Sequence, residues 1–246
     1  MRKLLAFVLF IALAQSAHAA CGSTITAGNI ATSTGVDLTV TLPAHQTNDI
    51  LLILGWVRDV DDTLTLTGWT QIATWDRSTT ARYWLYGLRA SSGSVTNPTF
   101  DKSGTTGDTY ALAIGIRGCI TTGTAWEVVG SGQSGTADPA SLTGITSLSA
   151  NSLIVVALGG EDNNNATVTT TGTDPAAYSE LYDESPTGAD GMIAFSTERR
   201  TTAGATGTIS VDFDTAVPVG WGAVVIALKS PQCIPGELAM AGAGTC

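Results

Sequence analysis

Asn48-Asp49-Ile50-Leu51-Leu52-Ile53-Leu54-Gly55 reads against Asn151-Ser152-Leu153-Ile154-Val155-Val156-Ala157-Leu158 at an offset of 103 residues. Both are short, nearly continuous apolar runs introduced by an asparagine, and both lead into a loop rich in acids or amides. The two units also close alike. Ala111-Leu112-Ala113-Ile114-Gly115-Ile116-Arg117 matches Ala223-Val224-Val225-Ile226-Ala227-Leu228-Lys229, now 112 residues apart, so about nine residues were inserted in between. Solenoid repeats are far shorter than this. The pattern points to two related halves of a β architecture, about residues 24–118 and 126–230.

Alternating segments surround these runs: Val36 to Leu42, Thr63 to Thr67, Thr167 to Thr169 and Thr208 to Asp214. Such strands show one face to a core and one to water, whereas the continuous runs suit strands covered on both sides. Turn chemistry separates them at Thr67-Gly68, Ser91-Ser92-Gly93, Asn97-Pro98, Asp174-Pro175 and Ala203-Gly204. Short strands with frequent turns mean an all-β fold, a jelly-roll-like sandwich built from two related halves. One sandwich spanning residues 21–230 is expected, with Trp126-Glu127-Val128-Val129 as the first strand of the second half.

Met1-Arg2-Lys3, an apolar run from Leu4 to Leu13 and the small-x-small site Ala17-His18-Ala19 read as a secretory signal peptide over residues 1–20. The run is too short to span a bilayer, and no other segment approaches about 20 continuous apolar residues. A lipid anchor on Cys21 is the rival reading, although His18 stands where a leucine is expected. With Arg2 and Lys3 removed, 11 basic residues become 9 against 21 acidic ones, a net charge near −12. That balance argues against nucleic acid and anionic membranes, which recruit Lys and Arg. The expected location is secreted or cell-surface.

Cys21, Cys119, Cys233 and Cys246 remain, an even count that in an exported chain reads as two disulfides with three connectivities open. The favoured set is Cys21 with Cys119 and Cys233 with Cys246, the second closing the Gly/Ala-rich tail within residues 231–246. On the chain-entropy estimate the long loop stabilises by about 4–5 kcal/mol and the short one by about 3. Zinc wants ligand pairs two to four residues apart, which these cysteines lack.

Asn48-Asp49-Ile50-Leu51-Leu52, Gly68-Trp69-Thr70, Tyr83-Trp84-Leu85-Tyr86 and Ile114-Gly115-Ile116-Arg117-Gly118 together resemble a β-sandwich module of secreted bacterial proteins and of phage virion and tail-associated proteins. The resemblance covers roughly residues 24–230 and rests on core and turn patterns. It implies the fold and a role in attachment or particle structure, and it supplies no catalytic residue.

Candidate chemistry is sparse. His45 is the only histidine after the signal, and Gly132-Gln133-Ser134-Gly135-Thr136 lacks the second glycine of a nucleophile elbow, so a serine hydrolase is not supported. A carboxylate-pair hydrolase acting on carbohydrate could draw on Asp59, Asp61, Asp62, Glu161, Asp162, Asp183 and Glu184. The repeat sharpens a different idea. Asp59-Val60-Asp61-Asp62 falls on Asp162-Asn163-Asn164-Asn165, so both halves carry an oxygen-rich loop at the same strand end. Calcium takes six to eight such oxygens, making Asp59, Asp61, Asp62, Asp162 and Asn164 candidate ligands, although Asp and Asn also favour ordinary turns. Trp56 precedes the first loop, and alternation in Tyr83-Trp84-Leu85-Tyr86 sets Tyr83 and Trp84 on opposite faces. With one face in the core, Tyr83 is expected to be partly exposed and, with Trp56, to bind glycan. The chain is thus expected to be a secreted, non-catalytic module for attachment or structural assembly, binding a glycan or surface polymer or associating with itself. A hydrolase, or a filament or coat subunit whose tail docks on a neighbour, are the alternatives.

Overall fold

The computed structural model describes residues 20–34, 36–104, 107–162, 165–175, 177–184, 190–214 and 220–231. Residues 1–19 of the expected signal peptide, Asn164, Cys233, Cys246 and residues 232–246 of the tail lie outside the described residues. Among those described there is no helix. The first half runs β1 (Thr24–Ala27), β2 (Ala31–Thr34), β3 (Leu38–Thr39), β4 (Ile50–Val57), β5 (Leu64–Thr65), β6 (Thr70–Arg77), β7 (Ala81–Arg89), β8 (Thr99–Lys102) and β9 (Asp108–Arg117). The second runs β10 (Trp126–Val129), β11 (Gln133–Gly135), β12 (Ala140–Leu142), β13 (Thr146–Ser147), β14 (Ser152–Gly160), β15 (Ala166–Thr170), β16 (Ser179–Glu184), β17 (Met192–Arg200), β18 (Gly204–Ala205), β19 (Ile209–Phe213) and β20 (Trp221–Leu228).

The two halves repeat strand for strand. In the first, a large antiparallel sheet has the order β1-β9-β4-β7-β6 with β2 also on β9, and a small sheet has the order β3-β8-β5. In the second, β10-β20-β14-β17-β16 with β11 on β20 faces β12-β19-β15, and the pair β13-β18 is an addition. Within each half the chain passes repeatedly from large sheet to small, which is the Greek-key winding of a jelly roll. Trp126–Val129 is the first strand of the second half, as expected. Even the entry turns match: Asn48 (φ 71°) and Asn151 (φ 60°), 103 residues apart, both take the left-handed conformation that asparagine tolerates better than most residues.

Each half is a sandwich in its own right, and the two stack through their large sheets. The sequence expects one domain over residues 21–230, and the described residues from 20 to 231 fall in one compact unit. On β4, Ile50, Leu52, Leu54 and Trp56 enter a central core with Leu153, Val155 and Ala157 of β14 and Val224, Ile226 and Leu228 of β20. The alternate residues Ile53 and Val57 enter the first half's own core with Leu38, Leu64 and Phe100. Likewise Ile154, Val156 and Leu158 turn toward Ile209, Val211 and Phe213 in the second half's core. Three apolar layers therefore lie between four sheets, and the central strands β4, β7, β9, β14, β17 and β20 have no wet face over most of their length.

At one end of the central layer the packing is of rings against bare backbone. Trp75, Tyr83, Trp56 and Tyr110 sit side by side across β6, β7, β4 and β9, as successive cross-strand partners. Their rings are stacked with centroids 5.4, 5.7 and 4.3 Å apart. Opposite them the second half offers glycines. A Cβ on Gly159 would lie 2.8 Å from Trp56 Cδ1, one on Gly222 2.5 Å from Tyr83 Cε2, and one on Gly191 2.6 Å from Tyr110 Cε1. By the 103- and 112-residue offsets, Gly159 and Gly222 occupy the places that Trp56 and Tyr110 hold in the first half.

Polar groups close this end. The Arg58 guanidinium donates to the carbonyls of Glu161 and Asp190, and Arg77 pairs with the Glu161 carboxylate at 2.5 Å. Tyr110 donates its hydroxyl to Asp190 O at 2.9 Å. The Tyr83 hydroxyl is buried without a hydrogen-bond partner, and burial first, then the Glu161 charge, push its ionisation far upward. At the other end Cys21 and Cys119 form the expected disulfide, joining the approach to β1 with the crossing between halves. That bond occupies the sulfur a lipid anchor would need.

Candidate functional site

A small sheet covers less than its large partner. Beyond β5, the outer face of β6 and the Arg82 end of β7 are left open, and an exposed groove of about 420 Å³ runs there, lined by Thr63, Thr65, Gln71, Thr74, Asp76, Arg82 and Trp84 among others. Cross-strand register sets these side chains: Thr74 opposes Trp84 and Asp76 opposes Arg82, while the intervening Trp75 and Tyr83 turn into the central core. Arg82 holds Asp76 in a two-pronged pair, Nε to Oδ1 at 2.5 Å and NH2 to Oδ2 at 3.0 Å. The pair stays accessible, with 27% and 44% of the two side chains exposed. The hydrogen bond to Asp76 outweighs desolvation and raises the Arg82 pKa.

The groove's walls are fixed from beneath. Tyr86 donates its hydroxyl to Leu64 O at 2.7 Å and lies 3.3 Å from Gln71 Oε1, tying β5 to β6. Thr74 Oγ1 donates to Tyr83 O at 3.0 Å. Trp84 contributes an apolar floor, since only 4% of its surface remains open. The arrangement offers hydroxyl, amide, carboxylate and guanidinium groups over an indole, with one positive and one negative charge. It can exchange hydrogen bonds with a hydrated polymer of no net charge.

Two sequence expectations about this region are corrected. Tyr83 and Trp56 are both fully buried, at 0% exposure, and neither can meet a glycan. Alternation alone implies one wet face for β7. The second half covers that face, and of the opposite one only the Arg82 end reaches solvent, since Trp84 and Tyr86 are buried. A sequence signal for the groove did exist. Asp76 and Arg82 flank the Ser78-Thr79-Thr80 turn symmetrically, which pairs them in a hairpin register.

The Asp59–Asp62 loop does not gather its carboxylates. Asp59 Oδ1 accepts from Asp61 N at 2.9 Å, an ordinary turn-forming bond. Asp62 faces inward, 3.2 Å from Lys102 Nζ. Asp162 is exposed. Among the described residues no three His, Cys, Asp or Glu side chains are grouped to hold a metal.

Three of the candidate acids of a hydrolase have partners: Glu161 with Arg77, Asp62 with Lys102, and Asp183 Oδ2 with the Ala166 amide at 2.5 Å. The side chain of Glu184 lies outside the described residues. Two other acids show a displaced pKa, and both move down. For Glu127, burial pulls upward, but bonds from Ser149, Ser152 and Leu148 prevail. For Asp174, burial also pulls upward, yet four bonds from Thr201 and Thr202 hold it at about 2. Neither is the raised carboxyl that a general acid requires. His45 is saturated too, its Nδ1 against Pro43 O at 2.7 Å and its Nε2 accepting from Val95 N at 3.0 Å.

No family model, curated protein or solved structure matches this chain.

Proposed function

We propose that the protein is an exported, non-catalytic attachment module whose β5–β7 groove takes a segment of neutral polysaccharide. The observation that carries this reading is the open polar trough of Thr63, Thr65, Gln71, Thr74, Asp76 and Arg82 over Trp84. The fold requires few of those side chains, because the pair Asp183–Ala194 stands in the second half at the position of Thr74–Trp84. An open groove suits the interior of a long chain better than a small molecule, which wants enclosure. The balanced charge of the groove and the acidity of the whole favour a neutral polymer over a polyanion. The buried disulfide is compatible with a place outside the cytoplasm, and no helix among the described residues is long and apolar enough to cross a membrane.

The test is a glycan-array and polysaccharide pull-down screen of the oxidised mature protein, run with calcium and with a chelator. Binding is expected in both conditions, since Asp62 is committed to Lys102. Arg82→Ala combined with Gln71→Ala is expected to weaken it at least tenfold while leaving the melting temperature within about 2 °C, as exposed substitutions usually do. No binding, or binding indifferent to both substitutions, would remove the groove from the account. Binding lost only with the chelator would restore calcium.

A further inference from the structure

Lys102 stands where the fold asks for an apolar residue. Along β8 the burial alternates, and Lys102 shares the inward face with Phe100. The cross-strand pairs Leu64–Lys102 and Thr65–Asp101 match Ala166–Phe213 and Thr167–Asp212 in the second half, so a phenylalanine fills the same place there. Lys102 has none of its side chain exposed and Asp62 only 6%. Nζ donates to Gly107 O at 2.6 Å and stands 3.2 Å from Asp62 Oδ2, an oxygen that accepts no hydrogen bond. The carboxyl is seated where only glycine leaves room, because a Cβ on Gly104 would fall on it.

We propose that Lys102 and Asp62 condense into an intramolecular amide. The separation is that of reacting groups already brought together, about 3–3.5 Å. Taking both charges out of water is costly, and passing a proton from the ammonium to the carboxylate removes both at once. The Nζ lone pair then attacks Cγ. The Nζ–Cγ bond forms, the Cγ–Oδ2 bond breaks, and Oδ2 leaves as water with two of the three ammonium hydrogens. Oδ1 stays as the amide carbonyl and the third hydrogen stays on nitrogen, where Gly107 O can accept it. No oxidant or co-reactant is needed. The bond would staple the loop before β5 to the end of β8, fastening the edge of the first half's small sheet. An attachment module under tension gains from such a link.

The intact mass of the mature chain decides the matter. It is expected to be about 18 Da, one water, below the value for the sequence after disulfides are counted. Trypsin should leave residues 59–77 joined to 90–117, with no cut after Lys102. Lys102→Met, which puts an apolar chain where the other half has Phe213, and Asp62→Ala should each restore the full mass. A wild-type chain of full mass that trypsin cuts after Lys102 would overturn the proposal, as would an 18 Da deficit persisting in Lys102→Met. Should a variant fail to fold, fragmentation of the wild-type branched peptide still reports whether the bond exists.

Discussion

Gly222→Ala tests the ring-on-glycine seam most directly, because the alternative accounts differ in sign. In a strand interior, alanine is better than glycine by about 0.5–1 kcal/mol through backbone entropy alone. If the seam were loosely packed, the substitution would stabilise. The structure says otherwise: the added methyl would stand 2.5–2.7 Å from three atoms of the Tyr83 ring, where about 3.5–4.0 Å is normal. Tyr83 cannot swing aside, since Trp75 and Trp56 stack on either side of it and it is fully buried. About 1 Å must open between two large sheets, a strain of about 1–3 kcal/mol. For a unit of this size each kcal/mol moves the melting temperature by about 2–4 °C, so a drop of about 2–12 °C is expected by calorimetry. A double-mutant cycle with Tyr83→Ala locates the cause. The Tyr83 truncation should cost about 3–5 kcal/mol in the wild type and clearly less in the Gly222→Ala background. A raised melting temperature, or a cycle with no coupling, would refute the argument.

Two further outcomes are expected. The Asp174 carboxyl is held at about 2 in the folded chain against an ordinary 3.8, so its contribution is complete above about pH 4 and fades as the pH falls toward 2. Thermal melts of Asp174→Ala against wild type should therefore differ at pH 5 and converge by pH 2, and parallel curves would count against the Thr201–Thr202 clamp. The Cys21–Cys119 bond spans 98 residues, and replacing both cysteines by serine should cost about 2–5 kcal/mol, read as a lower urea midpoint. A midpoint unmoved by the double substitution would mean that the two chain segments are held by packing alone.

The apolar runs at Ile50 and Leu153 were legible because covering a strand on both faces removes alternation, and that is a property of composition. The repeat, the Cys21–Cys119 link and the start of β10 at Trp126 followed from spacing in the same way. Of the groove only the Asp76–Arg82 pairing across the Ser78–Thr80 turn was legible, since Thr63, Thr65 and Trp84 join it only through register. Which face of β7 is wet depends on a sheet more than 100 residues away in the chain. The inward turn of Asp62 was hidden for a similar reason. A run of three acids in four residues reads as a solvated loop unless the buried amine 40 residues later is brought to it. Lys102 itself was readable in principle, alternating as it does with Phe100.

The seam also explains why two copies of one sandwich are held in a single chain. Trp56 meets Gly159, and Arg58 meets Glu161 O, and in each case the partners hold the same place in the repeat. Self-contact of equivalent positions is what happens near a two-fold axis, where a symmetric dimer must set each residue against its own copy. A dimer of first halves would force Trp56 onto Trp56, and a dimer of second halves would set Gly159 against Gly159 over a void. Joining the copies covalently lifts that constraint, because ring and glycine can then diverge at one position and fit each other. The same divergence leaves Lys102 in one half and Phe213 at the matching place in the other. The second half thus supplies the wall of glycines against which the rings of the first are packed.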